Sequence, residues 1–191
     1  QAILFELNSI FDHIPAEKVA IQWDVATEMS IFEDVYPATF ENKWEILIAR
    51  LVKLGDAIPI DAELGFHLCY GSMNNKHWKE PDDLSLCLQV LKMLHEKIAR
   101  RIDFVHVPVP IGRKDKEYYK PLETRQRIPG QDFFLGLIHL TDGIEGNLAR
   151  IRSALHYIET FGLSTECGMG RRSREELPKW MSLMSALAKS S

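Results

Sequence analysis

Short apolar runs alternate with longer segments of helical periodicity along this chain, and that alternation restricts its fold more than any other feature. The predicted strands are 19–24, 63–69, 103–107, 133–139 and 163–167. Stripes of apolar residues three or four positions apart predict helices over 3–11, 40–58, 84–98, 148–158 and 177–184. The polar stretch 112–131 shows no such period and is predicted as a loop. Strands that alternate with helices favour a parallel sheet with helical crossovers.

Polar and reactive residues collect where these strands end. They are Asp24, His67 with Cys69, His106, His139 with Asp142, and Glu166 with Cys167. Barrel enzymes build their sites at the carboxyl ends of the strands, and so do open doubly wound sheets. No glycine-rich phosphate-binding turn follows the first strand, so no nucleotide cofactor is expected. From the residues alone, barrel and open sheet both remain candidates.

Composition excludes several classes of partner. The formal net charge is −4 with both signs mixed along the chain, so no nucleic-acid partner is expected. No apolar run approaches the roughly 20 residues of a membrane span, and no signal peptide is visible, so no membrane partner is expected either. The 3 cysteines are too few and too scattered for a disulfide framework. Reduced thiols of this kind predict a cytoplasmic protein.

His67 and Cys69 form the pattern with the most specific chemistry. Side chains of a strand alternate between its faces, so an imidazole and a thiol two residues apart lie on the same side. Cys167, at the end of a later strand, can supply a second sulfur. This combination suits a borderline cation, usually Zn²⁺. The alternative interpretation is a core histidine with buried thiols, because free cysteine is commonly buried.

Three motifs, in the same order, resemble the C-terminal domain of cobalamin-independent methionine synthase. They are Gln22-Trp-Asp24, Gly65-Phe-His-Leu-Cys-Tyr70, and Thr165-Glu-Cys-Gly168 followed by Arg171. The resemblance covers most of the chain. It implies the α/β fold of the uroporphyrinogen decarboxylase/methionine synthase-like superfamily, a (β/α)8 TIM-type barrel. Residues 1–191 would then be the C-terminal part of one barrel domain and supply about its last five β/α units.

A barrel of this type needs eight strands, so the resemblance also implies a partner for the chain. We expect an N-terminal barrel half of roughly 150 or more residues, from the same gene or from a second chain. The start at Gln1, close to a helical pattern, fits a piece of a larger protein. A homo-oligomer is an open alternative.

The resemblance also assigns roles to individual residues. It implies that His67, Cys69 and Cys167 are zinc ligands. The family's fourth ligand, a glutamate, falls where Pro108 stands, which leaves His106, Glu166 or water for that position. The family's catalytic histidine falls near Asp142, so Asp142 or His139 is expected to move the proton, and Asp24 to contact a polar substrate group. The other expected substrate contacts are Tyr70, His77, His106 and Arg171.

Substitutions at the substrate-facing positions argue against an orthodox methionine synthase. Val25 stands where the family has a second acidic residue. The favoured hypothesis is a zinc-dependent transferase that moves a methyl or other alkyl group to or from the thiol of a small molecule. One alternative is a metal-free lyase, hydrolase or decarboxylase on the same barrel. Another is a degenerate barrel without activity, retained as a binding partner.

Overall fold

The structure is a computed structural model, and it describes residues 2–71 and 77–189. Within these ranges the strands are Ala20–Asp24 (β1), Glu63–His67 (β2), Phe104–Pro108 (β3), Asp132–Ile138 (β4) and Gly162–Thr165 (β5). The α-helices are Ala2–His13 (α1), Thr27–Phe32 (α2), Lys43–Asp56 (α3), Ser85–Lys97 (α4), Lys116–Tyr119 (α5), Gly143–Leu155 (α6) and Leu177–Ala188 (α7). None of these helices has the length and apolarity needed to cross a membrane.

The predicted strands are all present, but the stretch 112–131 is not the continuous loop that was expected. It contains α5 and a 3-10 helix over Lys120–Thr124. The side chain of Asp115 accepts a hydrogen bond from the backbone N–H of Tyr118 and so caps the single turn of α5. The rings of Tyr118 and Tyr119 are fully buried. One helical turn is too short to show the period on which the prediction relied. The short helix α2 was missed for the same reason.

The strands form one parallel sheet in the order β1-β2-β3-β4-β5. Crossovers between parallel strands are right-handed in nearly all proteins. With this sequential order, every right-handed crossover places its helix on the same face of the sheet. A doubly wound sheet reverses its strand order at a switch point, and this sheet does not. The arrangement is therefore singly wound, with β1 and β5 at its edges.

The face beneath the helices is the hydrophobic core. Leu64 and Phe66 of β2, Val105 of β3 and Leu135 of β4 are fully buried there. Burying a side chain of this size contributes about 1.5–3 kcal/mol. Because strand side chains alternate, the intervening residues project from the other face. The core therefore fixes which residues face the candidate site.

That second face carries polar and aromatic side chains in register. Asp24, His67, His106 and Phe134 are aligned across β1, β2, β3 and β4. Below this row the ring of Phe104 lies over Gly65, where a Cβ atom would come within 2.0 Å of the ring. Glycine on one strand thus makes room for an aromatic ring from the next. The upper row is left free to form a polar site.

Candidate metal site

His67, Cys69 and Cys167 converge at the carboxyl ends of the strands. The two Sγ atoms lie 3.5 Å apart, and one ligand atom from each of the three residues lies within 4.8 Å of the others. Strands β2 and β5 are three strand spacings apart, which is about 14 Å in a flat sheet. Each cysteine lies two residues beyond its strand, so the segments after β2 and β5 approach each other across the polar face. The predicted convergence of these three side chains is confirmed.

The environment of His67 fits a metal ligand. The residue is buried, and within the described residues neither of its ring nitrogens has a hydrogen-bond partner. A buried polar atom without a partner costs about 1–3 kcal/mol, which a metal–nitrogen bond would offset. One imidazole and two thiolates are typical zinc donors, and sites with three protein ligands keep a fourth position open for substrate. The group can hold a metal ion.

The thiol of Cys167 affects the protonation of Cys69. The hydrogen bond with Cys167, together with burial, raises the pKa of Cys69 well above its ordinary value. In the metal-free protein this thiol is therefore protonated at neutral pH. A metal ion binds thiolates, so binding must release protons from the site.

His106 supports the ring of His67 from the next strand. The two rings are stacked, with centroids 4.3 Å apart and planes 21° apart. Burial and the neighbouring His67 lower the pKa of His106 to about 3, so its imidazole is neutral at neutral pH. His106 does not belong to the converging group found among the described residues. Its predicted roles, as a fourth ligand or a substrate contact, stay predictions.

His77 lies on the connection between β2 and α4 and pairs with Glu166. Its Nε2 is 2.9 Å from Oε1 of Glu166, and its Nδ1 is 3.3 Å from Oε1 of Glu80. The side chain of His77 is only 8% exposed. Burial alone lowers the pKa of His77, but Glu166 and then Glu80 outweigh burial and raise it to about 9. His77 is therefore an imidazolium at neutral pH.

His139 follows β4 and is held rigidly. Asn147 accepts a hydrogen bond from the backbone N–H of His139 and donates one to its carbonyl oxygen. Nε2 of His139 is 2.8 Å from the carbonyl oxygen of Val109, which can only accept, so Nε2 carries the ring proton. Nδ1 lies 3.9 Å from Oε2 of Glu166. Burial lowers the pKa of His139 despite that carboxylate. The ring is neutral and presents Nδ1 as a proton acceptor.

Asp142, the alternative to His139 for proton transfer, lies in a structural ion pair instead. Its carboxylate accepts hydrogen bonds from Nη1 and Nη2 of the fully buried Arg150, at 2.8 and 2.9 Å, and contacts Nζ of Lys114 at 2.9 Å. The Arg150 hydrogen bonds hold the pKa of Asp142 well below its usual range, even though burial raises it. The group stays ionised near neutral pH. These contacts disagree with a proton-donating role.

Tyr70 does not face the converging side chains. It is fully buried, and its hydroxyl accepts a hydrogen bond from Sγ of Cys87 on α4 at 3.2 Å. Residues adjacent in an extended segment point to opposite faces, so Cys69 faces the site and Tyr70 faces the helices. Tyr70 thus lies in the core, and its predicted role as a substrate contact stays a prediction. Cys87 is fully buried, as expected for a helix core position.

Asp24 and Arg171 are two further residues that the sequence assigned to the site. Asp24 ends β1, is exposed, and is paired in register with His67. Its charge contributes to the raised pKa of Cys69, which places it within electrostatic range of that thiol. Arg171 ends the 3-10 helix Met169–Arg171, and its side chain lies outside the part of the chain that the structure describes.

Two groups of interacting residues were not predicted from the sequence. Glu166 was considered as a ligand, but its pairing with His77 joins positions 89 residues apart and leaves no local pattern. Arg150 and Asn147 lie on the buried side of α6, next to the apolar residue Ile151. An arginine on the apolar side of a predicted helix is the one signal that could have indicated a buried ion pair.

Comparisons with known proteins show the fold. No protein family profile matches the sequence. No curated protein matches it significantly. One similar solved structure is that of a Listeria monocytogenes protein named a "putative vitamin-B12 independent methionine synthase", with 22% sequence identity and a TM-score of 0.54. The similarity covers 88% of this chain and 47% of that one, so the chain spans about half the length of its structural neighbour.

Proposed function

We propose that the protein is a metal-dependent transferase that moves a methyl or other alkyl group to or from the thiol of a small molecule. The observation that carries the proposal is the convergence of His67, Cys69 and Cys167 at the carboxyl ends of the strands, with ligand atoms within 4.8 Å. Zinc is the proposed metal, because it suits one nitrogen and two sulfur ligands. Reduced ligand thiols require a reducing compartment, so we place the protein in the cytoplasm.

We propose a (β/α)8 barrel as the framework, with residues 1–191 supplying the later part of one domain. The singly wound strand order supports a barrel, and so do the approach of Cys167 to Cys69 across the polar face and the similarity to the structural neighbour. In the described structure β1 and β5 each pair on one side only. A further barrel segment, from the same gene or a second chain, is the proposed partner for those edges.

The residues around the thiols have different proposed roles. When bound, a zinc ion supplies the positive charge that keeps a thiol deprotonated at neutral pH. His67, Cys69 and Cys167 would hold that ion. Exposed Asp24, next in register to His67, would attract a cationic or polar group of the substrate. His139 would accept or return a proton at Nδ1, because its Nε2 donates to Val109.

Binding of small thiols tests this proposal directly. The zinc-loaded protein should bind at least one thiol from a panel at least tenfold more tightly than the matching alcohol, and the metal-free protein should show no such preference. Isothermal titration calorimetry in two buffers would also detect the proton released on binding. Equal affinity for every thiol and its alcohol would contradict a thiol-directed transferase.

A further inference from the structure

The contact between His77 and Glu166 connects the same two chain segments that carry the thiols. His77 lies on the connection after β2, eight residues beyond Cys69, and Glu166 directly precedes Cys167. The Nε2–Oε1 distance between them is 2.9 Å. A bound metal ion would join the same two segments through Cys69 and Cys167. The histidine–carboxylate pair therefore duplicates, within the protein, the connection that the metal would make.

The pair is well placed to act as a fixed connection. The His77 side chain is 8% exposed and the Glu166 side chain 23% exposed, so water screens their interaction only in part. His77 also contacts the ring of Tyr70, edge to face, with centroids 5.8 Å apart. Tyr70 is itself fixed in the core. The pair thus ties the segment after β5 to a rigid part of the molecule.

We propose that His77 and Glu166 form a tether that holds Cys69 and Cys167 at ligand spacing before any metal binds. Both are positioning residues: His77 contacts Tyr70, which adjoins Cys69, and Glu166 adjoins Cys167. The two Sγ atoms lie 3.5 Å apart, and this is the spacing that the tether would maintain. The part of this inference that concerns metal affinity rests on the proposed function, whereas the thiol spacing does not.

Electrostatics and preorganisation predict opposite effects at His77. His77 carries a positive charge at neutral pH, since its pKa lies near 9. If charge alone mattered, removing this cation would strengthen the binding of another cation nearby. If the tether matters, its removal lets the ligand segments separate and weakens binding. The sign of the change therefore distinguishes the two explanations.

The metal arm of the test compares Zn²⁺ affinity by competition with a chromophoric chelator. His77→Ala should weaken Zn²⁺ binding by roughly 10- to 100-fold, the usual effect of losing a residue that orients metal ligands. His77→Gln keeps an N–H donor within reach of Glu166 and should recover much of that loss. Glu80→Gln is the matched control, because Glu80 is the exposed partner of His77, and it should leave affinity unchanged.

A second arm needs no metal. Phenylarsine oxide bridges two neighbouring thiols and releases one water, so its affinity for metal-free protein reports how closely Cys69 and Cys167 are held. We expect His77→Ala to lower this affinity at least tenfold relative to the wild type and to Glu80→Gln. Circular dichroism and urea unfolding would verify that each variant is folded. If His77→Ala is not, Glu166→Ala replaces it, because that substitution removes the other partner of the tether.

The two arms separate the tether from the proposed metal function. Weaker arsenical binding by His77→Ala supports the tether even if the wild-type protein binds no zinc, and the absence of zinc would then count against the proposed function alone. Unchanged arsenical binding overturns the tether. Unchanged or tighter zinc binding by a folded His77→Ala variant overturns it as well, because charge would then dominate.

Discussion

The ion pair between Asp142 and Arg150 gives this carboxylate a structural role. Arg150 is fully buried and bonds to both oxygens of Asp142. Its Nε also donates to the carbonyl of Leu137, at the end of the strand that precedes His139. Through Arg150 and the carbonyl of Leu137, Asp142 therefore stabilises the position of His139.

Asp142→Asn should destabilise the protein by about 3 kcal/mol, because it leaves the buried Arg150 guanidinium without a counter-charge. Urea unfolding measures the change. Asp34→Asn is the control: Asp34 pairs with Lys43 at an exposed position, and losing such a pair costs at most about 1 kcal/mol. Equal effects of the two substitutions would contradict the structural role assigned to Asp142.

The difference in unfolding free energy between the wild type and Asp142→Asn should depend on pH, because the pKa of Asp142 is low in the folded protein. A carboxyl whose pKa is lowered by folding contributes stability above its unfolded pKa, about 3.9, and that stability is lost as pH falls toward the folded pKa. The gap between wild type and Asp142→Asn should therefore be constant from pH 6 to 8 and shrink below about pH 4. A gap that instead changes between pH 6 and 8 would point to another titrating group.

At the residue scale, the sequence predicts the ligands better than their surroundings. His67 and Cys69 are two apart on a strand, and strand alternation alone puts them together. The location of Tyr70 in the core follows from the same alternation and could have been inferred. The pairs His77–Glu166 and Asp142–Arg150 depend on side-chain packing, which no spacing in the sequence encodes.

At the scale of elements, the strands were predictable because each is a short, mainly apolar run followed by polar residues. The helices α2 and α5 were not, since six and four residues are too few to display a helical period. At Gly136, β4 closely approaches the end of β5. A Cβ atom there would lie 2.8 Å from the backbone oxygen of Thr165 and 2.6 Å from Nε2 of His106.

Gly136→Ala should therefore displace the segment that leads to Cys167. Backbone atoms cannot rotate away as a flexible side chain can, so we expect about 1–3 kcal/mol of destabilisation and at least tenfold weaker zinc binding. Urea unfolding and chelator competition measure the two effects. Gly112→Ala is the matched control, since no atom lies within 4 Å of its added Cβ. Wild-type zinc affinity in folded Gly136→Ala would contradict this account of β4 and β5.

At the scale of the whole molecule, strand–helix alternation gave the parallel sheet but did not choose between a barrel and an open sheet. The observations that favour a barrel are the sequential strand order and the approach of Cys167 to Cys69 across the polar face. Strand order depends on long-range pairing, which local periodicity does not contain. The proposed partner would pair with the open edges of β1 and β5.

Hydrogen exchange tests the proposed barrel partner. An unpaired strand edge leaves backbone amides open to solvent, whereas a paired edge protects them. We expect the outward amides of β1 to exchange rapidly in the 191-residue chain and to be protected in the complete protein or its assembly. The core strand β3 should be protected in both samples and serves as the internal reference. Equal exchange of β1 in both would contradict completion of the barrel at this edge.

Zinc content after dialysis, measured for the wild type and three cysteine variants, decides whether His67, Cys69 and Cys167 form a metal site. We predict about one zinc ion for each wild-type chain, as for a site with three protein ligands. Cys69→Ser and Cys167→Ser should lose this zinc while staying folded. Cys87→Ser should retain it, because Cys87 is buried against Tyr70, away from the site. A wild-type protein that binds no zinc, or both ligand variants retaining it fully, would contradict the account.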